Sequence, residues 1–234
     1  MSYKVYVRVA KRDGKARACI PDLPGCSTAG ISRDDAVAKM PAAIAEYLAW
    51  LRRHGEAVPV GGETTEIVIA DEAVGGAALY PGDRAGLFAP DLLPLTDEDI
   101  ARYLRLMRYS RQDLLSLVKD LSAAVLNWRP APKEWTIREV LRHLANAEGW
   151  YLDRIGLYTP QRRTRTILAR LELIRAYAYE VLSKLTPEQR SVVVQKDGEP
   201  WNARKVFRRF LEHEREHSGQ IQDVLRAQGL GLRV

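Results

Sequence analysis

Arg209-Phe210-Leu211-Glu212-His213-Glu214-Arg215-Glu216-His217 sets two histidines four residues apart inside a strongly charged stretch. On a helix that spacing places both imidazoles on one side, one turn apart. A stripe of Phe210, His213, His217, Gln220 and Val224 then faces inward. Arg208, Arg209, Glu212, Glu214, Arg215 and Glu216 are expected on the solvent side. Asn202 is placed to cap this helix and Gly229 to end it. A third histidine, His143, lies in a second amphipathic run over 134–154, on a stripe with Val140, Ala147 and Tyr151. Ala147 is small where it is expected to face His213. Two such helices facing each other bring three imidazoles into a facial site with coordination positions left open. That openness separates a working metal site from a closed structural one.

The surrounding sequence supplies the rest of a bundle. Thr96 before Asp97-Glu98-Asp99 is a strong helix start, and Ile100, Tyr103, Met107, Leu114, Leu117, Leu121 and Val125 continue one apolar face. Thr136 and Glu139 form a capping-box pattern at the head of the second helix. A third helix is predicted over 166–185 and the fourth from Asn202 to Gly229. Four helices of this length predict an antiparallel four-helix bundle over 96–234. An internal echo agrees: Trp135-Thr136-Ile137-Arg138-Glu139-Val140-Leu141-Arg142-His143 parallels Trp201-Asn202-Ala203-Arg204-Lys205-Val206-Phe207-Arg208-Arg209. Helices two and four therefore open alike, as two related hairpins do.

The run from Trp135 to Tyr151, with His143 in H-L-x-x-x-E, resembles the DinB family (DinB/YfiT), as does Glu212-His213-Glu214-Arg215-Glu216-His217-Ser218-Gly219-Gln220-Ile221. The resemblance spans roughly residues 92–227. It implies a four-helix bundle with a three-histidine divalent metal site at His143, His213 and His217. Characterised members of that family include transferases that use a low-molecular-weight thiol and an isomerase of the maleylpyruvate type. Three imidazoles favour zinc first, nickel second and iron(II) third over calcium or magnesium, which prefer oxygen. A metal-dependent thiol S-transferase or hydrolase acting on a small molecule is the expected function. Its rival is a non-catalytic, antitoxin-like or regulatory module with a structural metal. Asn146, Glu148, Tyr151, Arg154 and Gln220 are the polar groups within two turns of the ligands, candidates to orient them or to touch a substrate. No residue beyond the ligands is assigned a catalytic role.

The N-terminal third has a different grammar. Tyr3-Lys4-Val5-Tyr6-Val7-Arg8-Val9 alternates with period two, as a half-buried strand does. Arg12-Asp13-Gly14-Lys15 is a turn, and Ala16-Arg17-Ala18-Cys19-Ile20 a second strand. Pro21-Asp22-Leu23-Pro24-Gly25-Cys26 breaks any ladder. Ser32 is predicted to cap a helix that runs to His54, with Gly55 as its stop and Pro41 bending it. Thr65-Glu66-Ile67-Val68-Ile69 reads as a closing strand. The string from Pro21 through Gly30, followed by the acid-started helix, resembles the HicB-like family. That implies a small β-β-β-α-β module and, in many members, a partner RNase toxin. Nothing here resembles the DNA-binding tail that many antitoxins append, so an accessory or dimerisation module is expected. The fold class is α+β: 1–70 HicB-like, 71–95 a linker rich in glycine and proline, 96–234 the bundle.

At 234 residues, 46% hydrophobic and 28% charged, the chain is long enough for two globular domains. No basic-then-apolar leader and no apolar run near twenty residues are present, so a cytoplasmic, membrane-free protein is expected. The two cysteines, Cys19 and Cys26, are expected as reduced thiols. The net charge of +6 raises nucleic acid as a partner. Its densest clusters, Arg162, Arg163, Arg165 and Arg170, then Arg204, Lys205, Arg208 and Arg209, alternate with apolar residues and read as solvated helix faces. No recognition-helix or zinc-finger spacing accompanies them. A homodimer is expected from both resemblances, and His54, beside Arg52 and Arg53, is expected at a helix end outside the site.

Overall fold

The period-two stretch becomes β1 (Tyr3–Val9), with Val5 and Val7 fully buried and Lys4 turned to solvent. The structure, a computed structural model, describes residues 2–58, 65–75, 86–158 and 163–230. It divides into two units, Met1–Leu93 with Asp197–Pro200, and Pro94–Lys196 with Trp201–Val234. The first is built on a small sheet and the second is helical, so the fold is mixed α+β.

In the first unit a turn with Gly14 at φ 70° leads from β1 into β2 (Ala16–Cys19), paired antiparallel with Tyr6 opposite Cys19. The Pro-Gly segment returns the chain to β3 (Ser27–Gly30), antiparallel to β2. β4 (Ile67–Val74) lies on the other side of β1 and parallel to it, so the strand order is β3-β2-β1-β4. A parallel partner needs a crossover, supplied by α1 (Arg33–Ala38) and α2 (Met40–Arg53). β4 continues to Val74, past the point where the linker was expected to begin.

Ser32 caps α1 as expected, accepting from the Asp35 backbone N–H. Pro41 does not bend one long helix. The first helix stops at Ala38, and Pro41 falls in the opening turn of α2, where a missing N–H leaves no hydrogen bond unmade. α2 buries Met40, Ile44, Tyr47, Leu48 and Leu51, and the Tyr47 hydroxyl donates to the Pro24 carbonyl at 2.5 Å. Gly30 is a position of close approach: a Cβ there meets the Ala36 backbone nitrogen at 2.4 Å. Cys19 and Cys26 are buried and not bridged.

In the second unit Thr96 and Asp99 close a capping box at the head of α3 (Asp97–Val118). The expected face through Leu121 and Val125 does not stay on one helix. The Ser122 hydroxyl accepts from the Val125 N–H and starts a separate short helix, α4 (Ala123–Asn127). Serine offers the backbone this local alternative to continuing a helix. Thr136 and Glu139 cap α5 (Ile137–Arg154) as predicted, and α6 (Ile167–Leu182) ends three residues earlier than expected. Between α6 and the last helix the chain forms two short strands, β5 (Val194–Lys196) and β6 (Glu199–Trp201), whose turn Asp197-Gly198 is assigned with Glu199 and Pro200 to the first unit and has both residues at positive φ, as tight hairpin turns need. Asn202 then caps α7 (Ala203–Ala227). α5 packs against α6 and α7, and α3 packs against α7. Their core holds Leu114, Val140, Leu141, Leu144, Leu171 and Ile221. Among the described residues no helix is long and apolar enough to cross a membrane.

Charge as well as oil joins the long helices. Arg111 on α3 donates to Glu148 on α5 at 2.5 Å and to Glu214 on α7 at 2.6 Å. Arg175 on α6 also pairs with Glu148, and with Glu214 at 3.1 Å. All four side chains are buried. The leftover guanidinium N–H groups reach the Leu171 and Met107 carbonyls at 2.9 and 2.8 Å. Glu214 was expected in solvent. It is inside because its charge is compensated there, the condition under which a buried carboxylate persists.

Candidate metal centre

Two helices carry the three histidines. His213 and His217 sit one turn apart on α7, each 1% exposed, and half-buried His143 reaches them from α5. The Nε2 atom of His213 lies 3.0 Å from the Nε2 of His143 and 3.0 Å from that of His217. All three ligand nitrogens fall within 4.8 Å of one another, and the structure thus brings together the three histidines the sequence singled out.

The donor set fits a cation. One Nε2 has a single lone pair or a single hydrogen, so His213 cannot satisfy two neighbouring ring nitrogens by ordinary hydrogen bonding. Nitrogens bound to one ion at 2.0–2.1 Å stand roughly 3.0–3.4 Å apart, the spacing that His213 keeps to both His143 and His217. Gln220 Oε1 lies 2.7 Å from His217 Nδ1. Accepting the Nδ1 proton fixes the tautomer that points the Nε2 lone pair at the other two rings. Among the described residues no fourth His, Cys, Asp or Glu joins the group. Three protein ligands leave coordination positions open.

The walls are aromatic. Trp135 at the head of α5, 37% exposed, places its ring 4.9 Å from His143 and stacks on His217 at 6.2 Å. Tyr151 stands edge-on to His213 at 5.7 Å. Its hydroxyl accepts from Arg209 at 3.2 Å, and Arg209 is tied to Glu212 at 2.8 Å. Burial works against the Arg209 charge, but Tyr151 and Glu212 outweigh it, so its pKa is raised and the group stays cationic. In the sequence Trp135 stands in the internal echo and at the start of the DinB-like run, without a place at the site. Its place directly before Thr136, the cap of the helix that carries the His143 stripe, was the available signal.

The remaining sequence candidates separate. Gln220 touches His217 and Tyr151 supports His213. Glu148 is not at the histidines, because Arg111 and Arg175 hold its carboxylate in the core. Arg154 is buried, packed on Trp150 at 4.4 Å and paired with Asp153 at 3.1 Å. Asn146 is exposed and accepts from Arg170 at 3.0 Å, facing a different cavity. His54 packs against Trp50 in the first unit. Arg208, Arg209 and Glu212, expected in solvent, are buried, with the one carboxylate paired to both guanidiniums. Arg162 lies outside the described residues.

Residues 106–221 match the model of the DinB superfamily, so this stretch of the helical unit is similar to that superfamily. No curated protein matches the chain. Among solved structures, the chain is similar to YfiT from Bacillus subtilis, described as a probable metal-dependent hydrolase with an unusual four-helix bundle topology. The two share 18% identity over 58% of this chain and 91% of that one, with a TM-score of 0.45.

Proposed function

We propose that the helical unit is a DinB-like four-helix bundle that holds one divalent transition metal at His143, His213 and His217. We propose further that the protein is a metal-dependent enzyme of the thiol-transferase or hydrolase type. The observation that carries this reading is the convergence of three Nε2 atoms with no fourth carboxylate, thiol or imidazole among the described residues. A closed structural site fills its fourth position with protein. The chemistry such a cation supplies is a lowered pKa for a coordinated water or thiol. The chain's own part is to hold His217 in one tautomer through Gln220, to seat His213 against Tyr151, and to wall the open side with Trp135. Nitrogen donors of this kind suit zinc first, then nickel and iron(II). The element order β-β-β-α-α-β and the Pro-Asp-Leu-Pro-Gly-Cys string support reading the first unit as a HicB-like module whose occupant is a protein partner.

Protein made without a histidine tag, stripped and reloaded, is expected to retain one equivalent of zinc by elemental analysis. His213→Ala is expected to lose it, because two imidazoles form a weak cage. Cobalt(II) loading is expected to give a visible spectrum that gains a sulfur charge-transfer band when a low-molecular-weight thiol is added. Substoichiometric metal after reloading, or full retention by His213→Ala, defeats the metal assignment. A cobalt spectrum indifferent to both thiol and water exchange defeats the catalytic one.

A further inference from the structure

Beside the histidines, α5 turns a second face toward the start of α6. Arg138, Arg142 and Asn146 follow one another at four-residue spacing and so share a face. Together with Arg163, Arg165 and Arg170 they line a cavity of about 490 Å³. That is the size of a small-molecule site, which runs roughly 300–1,000 Å³. The N-terminal end of α6, capped by Thr166, opens at the same place and adds its positive dipole.

These five arginines differ from five others in the unit. Arg111 and Arg175 are matched to Glu148 and Glu214, Arg204 to Asp99, Arg190 to Asp97, and Arg209 to Glu212. Among the described residues none of the five cavity guanidiniums pairs with a carboxylate. Two are anchored by neutral amides, Arg138 on Asn127 at 2.7 Å and Arg170 on Asn146 at 3.0 Å. An amide positions a guanidinium without neutralising it. Glu139, adjacent in sequence to Arg138, is committed elsewhere, to Arg129 at 2.7 Å and to the Thr136 backbone at 2.8 Å. Gathering five like charges around one hollow is unfavourable unless an anion offsets them.

We propose that this cavity is a binding site for the multiply charged oxyanion of a small molecule, a phosphate ester or a polycarboxylate. Arginine forks match the paired oxygens of either group. A nucleic acid is disfavoured because the charge is gathered into a hollow rather than spread along a track. Arg142 precedes His143 directly on α5 and Asn146 follows it, so the cavity lies at the same level of that helix as His143, on a neighbouring face. The site stands whether or not the histidines hold a metal.

The test is calorimetric titration of the full chain, freed of metal with a chelator that is then removed, at low ionic strength. Pyrophosphate and citrate are the probes, with a short single-stranded DNA as the competitor class. One-site binding of at least one probe is expected, the tighter probe naming the source of the oxyanion. Arg142→Glu and Arg165→Glu, both at exposed positions, are each expected to weaken it at least about tenfold with an unchanged melting temperature. His213→Ala is expected to leave it intact, which separates this site from the metal reading. Absence of binding by both probes, equal binding by the charge-reversed chains, or binding of DNA alone overturns the proposal.

Discussion

Glu148→Gln tests whether a neutral quartet of buried charge holds the helical unit together. The wild-type cluster pairs two guanidiniums, Arg111 and Arg175, with two carboxylates, Glu148 and Glu214. Glutamine keeps the shape of the side chain but removes one negative charge, leaving a buried net charge of one. Breaking a buried pair from one side costs about 3–5 kcal/mol. The amide oxygen retains one acceptor, so the lower end, about 3 kcal/mol, is expected. For a chain of this size that corresponds to a fall of roughly 6–12 °C in melting temperature. Denaturant unfolding followed by tryptophan fluorescence reports mainly this unit, since Trp128, Trp135, Trp150 and Trp201 lie in it and only Trp50 in the other. Adding Arg111→Met restores neutrality by leaving Arg175 with Glu214. The double variant is therefore expected to lose at least about 1 kcal/mol less than the sum of the two single variants. A loss below about 1 kcal/mol for Glu148→Gln, or additivity within about 0.5 kcal/mol, would refute the reasoning.

Burial alone raises the Glu214 pKa, but Arg111 and Arg175 outweigh it, so the folded value lies below the ordinary 4.5. Its contribution to stability is therefore complete above 4.5 and disappears as pH falls through the depressed folded value. Urea midpoints measured from about pH 6 to pH 3 are expected to fall steeply for the wild type and less so for Glu214→Gln; parallel curves contradict the assignment. Gly30→Ala drives a Cβ into the Ala36 backbone and is expected to cost about 1–3 kcal/mol in the first unit, read through Trp50 fluorescence. Gly14→Ala meets no atom within 4 Å and pays only for its positive φ. It is expected to cost about 1 kcal/mol, and a larger loss than at Gly30 overturns the close-approach argument.

What the sequence determined alone was local. The i, i+4 spacing of His213 and His217, the caps at Ser32, Thr96, Thr136 and Asn202, and the alternation of β1 all act within a few residues. Their physics is complete in the string, and His143 joined them because its amphipathic stripe was legible too. Asp197-Gly198 carried a hairpin signal of the same local kind that went unused, and Pro41 and Ser122 carried helix starts where continuity was expected. Tertiary structure decided the rest. Charged residues on α7 look solvent-bound one helix at a time, because isolated charge belongs in water. Only when Arg111, Glu148 and Arg175 arrive from three other helices does burying Glu214 become favourable. The parallel seat of β4 beside β1, the Trp135 wall over the histidines and the gathering of five arginines at one hollow likewise join positions distant along the chain. Long-range compensation of charge and packing has no signature in any single helix or strand, and so it became visible only in the folded arrangement.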